Sequence, residues 1–377
     1  MSIARMRQSY HAGQLPWAVV RGAHPLVLFS DSLVSAARLH ERVEREHASL
    51  LAPAKRVIVG TVDQSTGRPA ATVATLDALN PRKVAVTVDP SSPALRHLAT
   101  DSPVALVFHS QATQRQVRVV GQARVDGPAS GEATSGPVGL LEAASQVSGS
   151  RWSADEVKER LIAVAKAYGE AQVPGLPGLD PNAMCVVTAR RGADGLYVPS
   201  ARMVLLKDCE AQGPVFYTNF RSPKGQDLEA NPQAAFSLDW PTLGQRLHVA
   251  GPVGKVSDEA ADAYWRTRPY ASQLGSAASR QSEPLSWRGD LIARALLYGL
   301  LHGPRPPRPQ HWGGFLLEPD LVEWSRADVG LGDAQVRLVI DPKAIEVWQG
   351  RDSRLHDRWL WSLRDDGYRS QPQRLSP

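Results

Sequence analysis

The feature that most constrains the fold of this sequence is an order of short β-rich runs that appears in the first third of the chain and again in the middle. Gly60-Thr-Val-Asp63 corresponds to Val187-Thr-Ala-Arg190, Ser92-Pro93 to Ser222-Pro223, and Arg115-Gln-Val-Arg-Val-Val-Gly121 to Gln245-Arg-Leu-His-Val-Ala-Gly251. Repetition at this scale implies two copies of one structural unit. In the first copy the runs cover 57–62, 70–76, 84–88, 104–108 and 116–120, with a turn at Gln64-Ser-Thr-Gly67. Strands this short and closely spaced predict a meander or barrel. A helical pattern precedes each copy. Over 31–51, Leu33, Ala36, Ala37, Val43 and Leu50 share one face. In the second copy the capping box Ser153-Ala-Asp-Glu156 leads into Val157, Leu161 and Val164 at helical spacing.

Between the copies, 126–150 turns to Gly, Ala, Ser and Pro, the composition of a linker. The expected organisation is a first barrel over 1–125, a linker over 126–150 and a longer second unit over 151–377. That second unit adds helices near 257–266 and 286–301, the latter ended by the Pro-rich stretch 304–309. An aromatic-rich, strand-like tail follows. The fold class is α+β, mainly β: two tandem barrels with flanking helices.

A chain of 377 residues can bury two cores without disulfides or metals. No apolar run approaches the roughly 18 residues that span a bilayer. The first ten residues lack the apolar stretch of about 7 to 15 residues in a secretory signal, so a cytoplasmic location with no membrane partner is expected. Cys185 and Cys209 lack metal-ligand spacing and read as packing residues, and the ten histidines are scattered, so no metal is expected. The net charge is +5, yet no block of Lys and Arg interleaved with aromatics points to nucleic acid.

Within the second copy, 201–225 concentrates cations where strands end and a helix begins. Arg202 and Lys207 flank the apolar run Met203-Val204-Leu205-Leu206, and Val215-Phe-Tyr-Thr218 is followed by Arg221-Ser-Pro-Lys224. A helix N-terminus opened by Ser-Pro offers free N–H groups to an anion. The arrangement suits a phosphate-bearing ligand, and a solvated surface cluster would look the same. Arg202 and Lys207 are five apart, so an undistorted strand sends them to opposite faces, and a shared ligand requires a bend.

Several separate motifs in the second half resemble the pyridoxine/pyridoxamine 5′-phosphate oxidases, split β-barrel flavoproteins that use FMN. They are Arg202-Met-Val-Leu-Leu-Lys207, Phe216-Tyr-Thr-Asn219, Tyr264-x-x-x-Arg268-Pro-x-x-Ser272-Gln, Gln281-Ser282, Trp312-Gly-Gly-Phe315, Trp348-Gln-Gly350 and Arg354-Leu-His-Asp-Arg358. The resemblance implies two tandem FMN-binding split barrels. It implies FMN contacts from Arg202, Met203, Val204, Leu205, Leu206, Lys207, Tyr217, Thr218, Lys224, Arg246, Gln281, Ser282, Trp348 and Arg358. The substrate phosphate would meet Lys207, Tyr264, Arg268 and Ser272. Arg354 and His356, the implied catalytic pair, would lie over the substrate ring, and Arg7 and Tyr10 belong to a substrate-covering segment. The implied reaction oxidises pyridoxamine or pyridoxine 5′-phosphate to pyridoxal 5′-phosphate, with oxygen as electron acceptor. A non-catalytic flavin or pyridoxal-phosphate carrier, or a flavin oxidase acting on another metabolite, is the alternative.

There are departures from the family pattern. Pro223 stands where a phosphate-binding Arg is usual, with Arg221 as a substitute, and Arg246 stands where a cofactor Gln is usual. An insertion over 316–336 echoes the segment that leads to Trp348 and reads as a small duplicated hairpin. In the first barrel the ligand positions are replaced: Thr72 for Arg202, Asp77 for Lys207, Val86 for Tyr217 and Ala94 for Lys224, although Gln116 matches the cofactor Gln. Because Trp348 and Arg358 have no counterparts before the linker, the expected assembly is a homodimer through the second domains, with the first barrel outside and free of flavin.

Overall fold

The computed structural model describes residues 56–128 apart from 81, 91, 100 and 111–113, helical residues within 158–167, and 180–377 apart from 211, 241–242, 244, 327–334, 351–355, 365–366 and 369–370. Arg7, Tyr10, the helical pattern over 31–51, most of the linker and Arg354 lie outside the described residues.

The first sheet contains β1 (Arg56–Val62), β2 (Pro69–Asn80), β3 (Lys83–Val88), β4 (Ser102–Ser110) and β5 (Arg115–Pro128), with the short helix α1 (Pro93–Arg96) between β3 and β4. Their apolar residues alternate between the barrel core and the face toward the second barrel, as Val57 and Val59 do with Ile58, and the strands lie antiparallel in the order β3-β2-β1-β4-β5. The second sheet repeats this with β6 (Ala183–Arg191), β7 (Tyr197–Leu205), β8 (Asp208–Glu210), β9 (Gly213–Asn219), helix α2 (Pro223–Ala230), β10 (Gln233–Trp240) and β11 (Gln245–Lys255). Three helices follow, α3 (Asp258–Thr267), α4 (Tyr270–Ala278) and α5 (Arg288–His302), then β12 (Trp312–Leu317) and β13 (Leu321–Arg326).

The next strand crosses back. β14 (Val336–Gln349) pairs with β3 along its first half and with β5 along its whole length, closing the first barrel. It carries β15 (Asp357–Arg364) with it, and the short strands β16 (Gly367–Tyr368) and β17 (Gln373–Arg374) attach to β15. The expected partition of the chain therefore needs correction: residues from 336 onward complete the first barrel rather than the second. Sequence order could not show this, because β14 pairs with strands more than 200 positions earlier.

The insertion is also not a hairpin. β12 and β13 pair with successive parts of one strand, β11, from Lys255↔Phe315 to Gln245↔Arg326, so they act as a single strand kinked at 318–320. This is the second barrel's copy of β14. Both copies bend at a proline, Pro319 and Pro342, and both bends lie against a glycine. A Cβ on Gly251 would meet the Glu318 carbonyl at 2.0 Å, and one on Gly121 the Asp341 carbonyl at 2.3 Å.

Each barrel has its own core. Val59, Val86, Leu106 and Val119 join Leu338, Ile345, Trp359 and Trp361 in the first. Phe216, Phe236, Leu247 and Phe315 join Leu161 and Val164 of the preceding helix in the second. A third apolar cluster seals the barrels together, built from Ile58, Ala71, Val73 and Ala105 on one side and Cys185, Val187, Ala201 and Ala235 on the other. The small side chains let two sheets approach closely, and both cysteines are buried packing residues. Among the described residues no helix is long and apolar enough to cross a membrane.

Because the Asp341 carbonyl occupies the space a side chain would need, Gly121→Ala is expected to destabilise the protein by about 1–3 kcal/mol. A lower urea midpoint with an unchanged slope would show it; an unchanged midpoint would contradict the close approach.

Candidate active site

A cavity of about 440 Å³ opens at the junction of the two barrels, within the range of small-molecule sites. Its floor comes from the second barrel and its roof from the first together with β14 and β15. Arg202, Met203, Val204, Leu205, Lys207, Tyr217, Thr218 and Lys224 line it from one side, and Gln116, Arg118, Glu346, Trp348, His356 and Arg358 from the other. Gln281 and Ser282, after α4, complete the rim.

Local structure explains how the cations converge. β7 ends at Leu205; Leu206 then donates its N–H to Asn182 and Lys207 donates to Val215, so the chain has left the strand before Lys207. This is the bend that a five-residue spacing requires. It turns Leu206 into the second core, away from the cavity. Lys224 sits in the first turn of α2, whose N-cap Ser222 accepts the N–H of Gly225. Its ammonium donates to Thr218 Oγ1 at 2.7 Å, Gln281 Oε1 at 2.7 Å and Ser222 Oγ at 3.2 Å, all neutral acceptors. Burial depresses its pKa well below the usual lysine value, and Arg202, Arg358 and Arg118 depress it further.

Arg202 is held by Thr188 Oγ1 at 2.6 Å, by Ser200 Oγ, and by Asp227 at 3.6 Å, and Thr188 in turn donates to Asp227 at 2.7 Å. Burial lowers the Arg202 pKa to about 10, with Arg118 adding to the shift and Asp227 opposing it. From the other barrel, Glu346 bridges Arg118 at 2.7 Å and Arg358 Nε at 2.8 Å. Arg358 also donates to Ser282 Oγ at 2.7 Å and to the Ser376 carbonyl. Arg118 reaches across the junction to the Ala201 carbonyl at 2.5 Å and Ser200 Oγ at 3.1 Å, and Gln116 Oε1 accepts the Met203 N–H at 2.6 Å. Five cations, Arg118, Arg202, Lys207, Lys224 and Arg358, thus line one cleft whose lining carries two carboxylates, Asp180 and Glu346, with Asp227 behind Arg202.

Aromatic rings form one wall. Tyr217 stacks on Tyr264 at 4.0 Å and on Trp312 at 5.3 Å, and His356 lies 4.5 Å from the Trp348 ring. Behind this wall Arg268 lies over Trp312 and Trp265 and donates to the Ser272 carbonyl and to Ser276 Oγ. Tyr264, Arg268 and Ser272 are therefore clustered beside the cavity rather than along its lining.

Three expected positions need correction. Arg246 is not brought to this cavity: it lies on β11 opposite Ser325 and pairs with Asp239 at 3.5 Å, and the equivalent place at the cavity belongs to Gln116. In the first barrel the position matching Tyr217 is Thr87, not Val86, because Val86 packs into the core as Phe216 does. Arg221 is exposed and is not among the lining residues, so it does not replace the arginine absent at Pro223. Sequence reasoning missed Arg118, Glu346 and Asp227. Period-two alternation contained the first two, since Arg118 shares a strand face with Gln116 and Glu346 with Trp348.

These paired barrels with a shared, cation-lined cleft define a split-barrel protein with a site for an anionic ligand. The chain belongs to the pyridoxamine 5′-phosphate oxidase family: its model matches 43–141 and again 175–292, together more than half of the chain. A second model, described as the pyridoxine 5′-phosphate oxidase C-terminal dimerisation region, matches 338–377. A pyridoxine/pyridoxamine 5′-phosphate oxidase from Chromobacterium violaceum is 42% identical over 207 residues, covering 55% of this chain and 82% of that protein. One from Cupriavidus pinatubonensis is 40% identical over 221 residues, covering 59% and 91%. Among solved structures, PhzG from Burkholderia lata 383 in complex with tetrahydrophenazine-1-carboxylic acid aligns with a TM-score of 0.38 at 25% identity, over 59% of this chain and 91% of that one.

Burial alone would raise the Glu346 pKa, but Arg358 and Arg118 outweigh it and hold the carboxyl at about 2. A carboxylate lowered on folding stabilises above its ordinary value near 4.5 and loses that contribution as pH falls toward 2. The wild type is therefore expected to exceed Glu346→Gln in unfolding free energy by on the order of 3 kcal/mol at neutral pH. The gap should close between about pH 4.5 and pH 2, and a gap independent of pH would contradict the ionic role.

Proposed function

We propose that this chain is an FMN-dependent oxidase that converts pyridoxamine or pyridoxine 5′-phosphate to pyridoxal 5′-phosphate with oxygen as electron acceptor. The observation that carries the reading is the excess of buried cations around Lys224, whose ammonium meets neutral acceptors in a cleft also containing Arg202, Arg358 and Arg118. A phosphate monoester fits that donor set, because charge-assisted hydrogen bonds to phosphate offset the cost of burying like charges together.

Arg202 and Lys224, with Thr218 and Ser222 beside them, would hold the cofactor phosphate. Gln116, Gln281, Ser282, Trp348 and Arg358 would orient the ring system from both barrels. Met203, Val204 and Leu205 would lie along it, leaving Leu206 as core and Arg246 outside the site. Bound there, FMN supplies the two-electron acceptor for the substrate's exocyclic carbon. Lys207 would meet the substrate phosphate, with Tyr264, Arg268 and Ser272 as the neighbouring cluster that takes part when substrate is bound. His356, with Arg354 two residues earlier, would cover the substrate ring, Trp348 fixing the imidazole by ring contact. Arg7 and Tyr10 would close over the substrate from the N-terminal segment. A cytoplasmic setting suits this chemistry.

Purified wild-type protein is expected to be yellow and to release hydrogen peroxide with pyridoxamine or pyridoxine 5′-phosphate. His356→Ala should lower kcat while FMN content stays near wild type, and Arg358→Ala should weaken FMN binding by about tenfold or more. Equal flavin loss in both variants would contradict these roles. A flavin-loaded wild type inert toward both vitamers would favour another ring-bearing metabolite as substrate. A protein that binds but never oxidises would favour the carrier reading.

Charged Lys224 is unfavourable in the ligand-free cleft and favourable beside a phosphate, so its folded-state pKa should rise on binding. Titrating the apoprotein with FMN at alkaline pH, below the ordinary lysine value and above the range where the phosphate itself titrates, should therefore take up protons. Calorimetry in buffers of different ionisation heat would measure this, and the uptake should fall in Lys224→Met.

A further inference from the structure

The two barrels are related by an approximate twofold, and the strand registers fix which residues are mates. One offset in numbering relates Thr72 to Arg202, Asp77 to Lys207, Thr87 to Tyr217, Ala94 to Lys224, Gln116 to Arg246 and Arg118 to His248. The same operation superposes β12–β13 on β14, placing Glu323 with Glu346 and Ser325 with Trp348. A symmetric pair of barrels would carry two equivalent clefts. Here the mate of the cation-lined cleft has been rebuilt.

At the mate position, Thr72 fills the place an anion would take. Its hydroxyl oxygen accepts from Ser92 Oγ at 2.9 Å and from the Ala94 N–H at 3.3 Å, the backbone donor at the start of α1. Asp77, in place of Lys207, is paired with Arg337 at 2.9 Å. Arg246, in place of Gln116, pairs with Asp239, and Asp239 also binds Arg56 of the first barrel at 2.7 Å. Arg96 lies 3.9 Å from Glu323 across the same junction. His248, in place of Arg118, is half-buried and adds no cation at neutral pH, because desolvation lowers its pKa to about 3. Each of these arginines thus has a carboxylate partner, and two pairs, Arg56 with Asp239 and Arg96 with Glu323, cross between the barrels, whereas the opposite cleft keeps a surplus of positive charge.

Gln116, Arg118, Glu346, Trp348 and Arg358 come from the first barrel's sheet, and the junction that brings them to Arg202 and Lys224 is sealed within one chain by the small-residue cluster around Ala71, Ala105, Ala201 and Ala235. We propose that one chain is a complete one-site unit: its first barrel does the work of a partner subunit, and the mate cleft is an ion-pair brace that takes no phosphate ligand. The first barrel's lost ligand residues and its retained Gln116 then have one explanation. The identity of the bound ligand rests on the FMN reading; the pairing within one chain does not.

The test uses the full chain with FMN as the probe, and asks for stoichiometry, complementation and mass. Wild type should bind one FMN per chain. Lys224→Ala and Arg358→Ala, refolded separately and together, should each bind at least about tenfold more weakly, and the mixture should show no tight sites. Recovery of a fraction of wild-type sites in the mixture, or two FMN per chain, would overturn the proposal, since either requires a site built between chains or in the mate cleft. Should either variant fail to fold, the symmetry mates decide: Gln116→Ala should weaken FMN binding, while Arg246→Ala should leave it unchanged and lower thermal stability. The reverse pattern would also overturn it. A wild-type chain that takes up no FMN yet sediments as one copy would sink the flavin reading while supporting the internal pairing; one that takes up none and sediments only as a dimer would sink both.

Discussion

The structure depends on the pairing of β14 with β5. That ladder, from Val336↔Pro128 to Gln349↔Arg115, closes the first barrel and positions Glu346 and Trp348 opposite Arg118 and Gln116. Without it the first sheet would keep a long open edge, and the cleft would lose its upper half. The strand reaches this place because the segment before it is occupied: β12 and β13 already fill the equivalent position in the second barrel. The insertion thus supplies the second barrel's own copy of this strand, and β14 serves the first barrel.

Electrostatics at the junction follows from that exchange. Arg202, Lys207 and Arg358 are buried and Arg118 and Lys224 half-buried, and among the described residues they outnumber the carboxylates near them, Glu346 and Asp180 on the lining and Asp227 behind Arg202. Removing charges from water is costly, and a cluster of one sign is tolerated where hydrogen bonds and a bound anion compensate. Glu346 ties two of the cations together and fixes Arg358 against Ser282. Across the pseudo-twofold the same scaffold carries matched pairs, Arg56 and Arg246 with Asp239, and Arg96 near Glu323. One scaffold thus holds a cleft poised for an anion and another that neutralises itself.

Much of this was legible in the sequence because the signals were local. Alternating β-branched runs gave the strands of both barrels, Ser92-Pro93 and Ser222-Pro223 gave two helix starts, and the five-residue spacing of Arg202 and Lys207 required a bend, which the end of β7 at Leu205 supplies. What escaped was non-local. The tail shows no sign in its own residues of which barrel it will join, and proximity along the chain points to the wrong one. The kinked strand β12–β13 looked like a hairpin because Pro319 and its neighbours resemble a turn until β11 is seen to run continuously beside both halves. Arg246 was placed at the cofactor through its alignment with Gln116, and the structure separates the two because they lie on opposite sides of the pseudo-twofold. Asp227 gave no signal of its own, being one acidic residue in a short helix.

The central claim is that two barrels of one chain build one flavin-dependent oxidase site. Its most direct test is an anaerobic titration of the purified protein with pyridoxamine 5′-phosphate, following the visible flavin band. Complete bleaching is expected after one equivalent of substrate per chain, with colour returning when oxygen is admitted. A band that persists under excess substrate, or bleaching that ends at two equivalents per chain or at half of one, would contradict it.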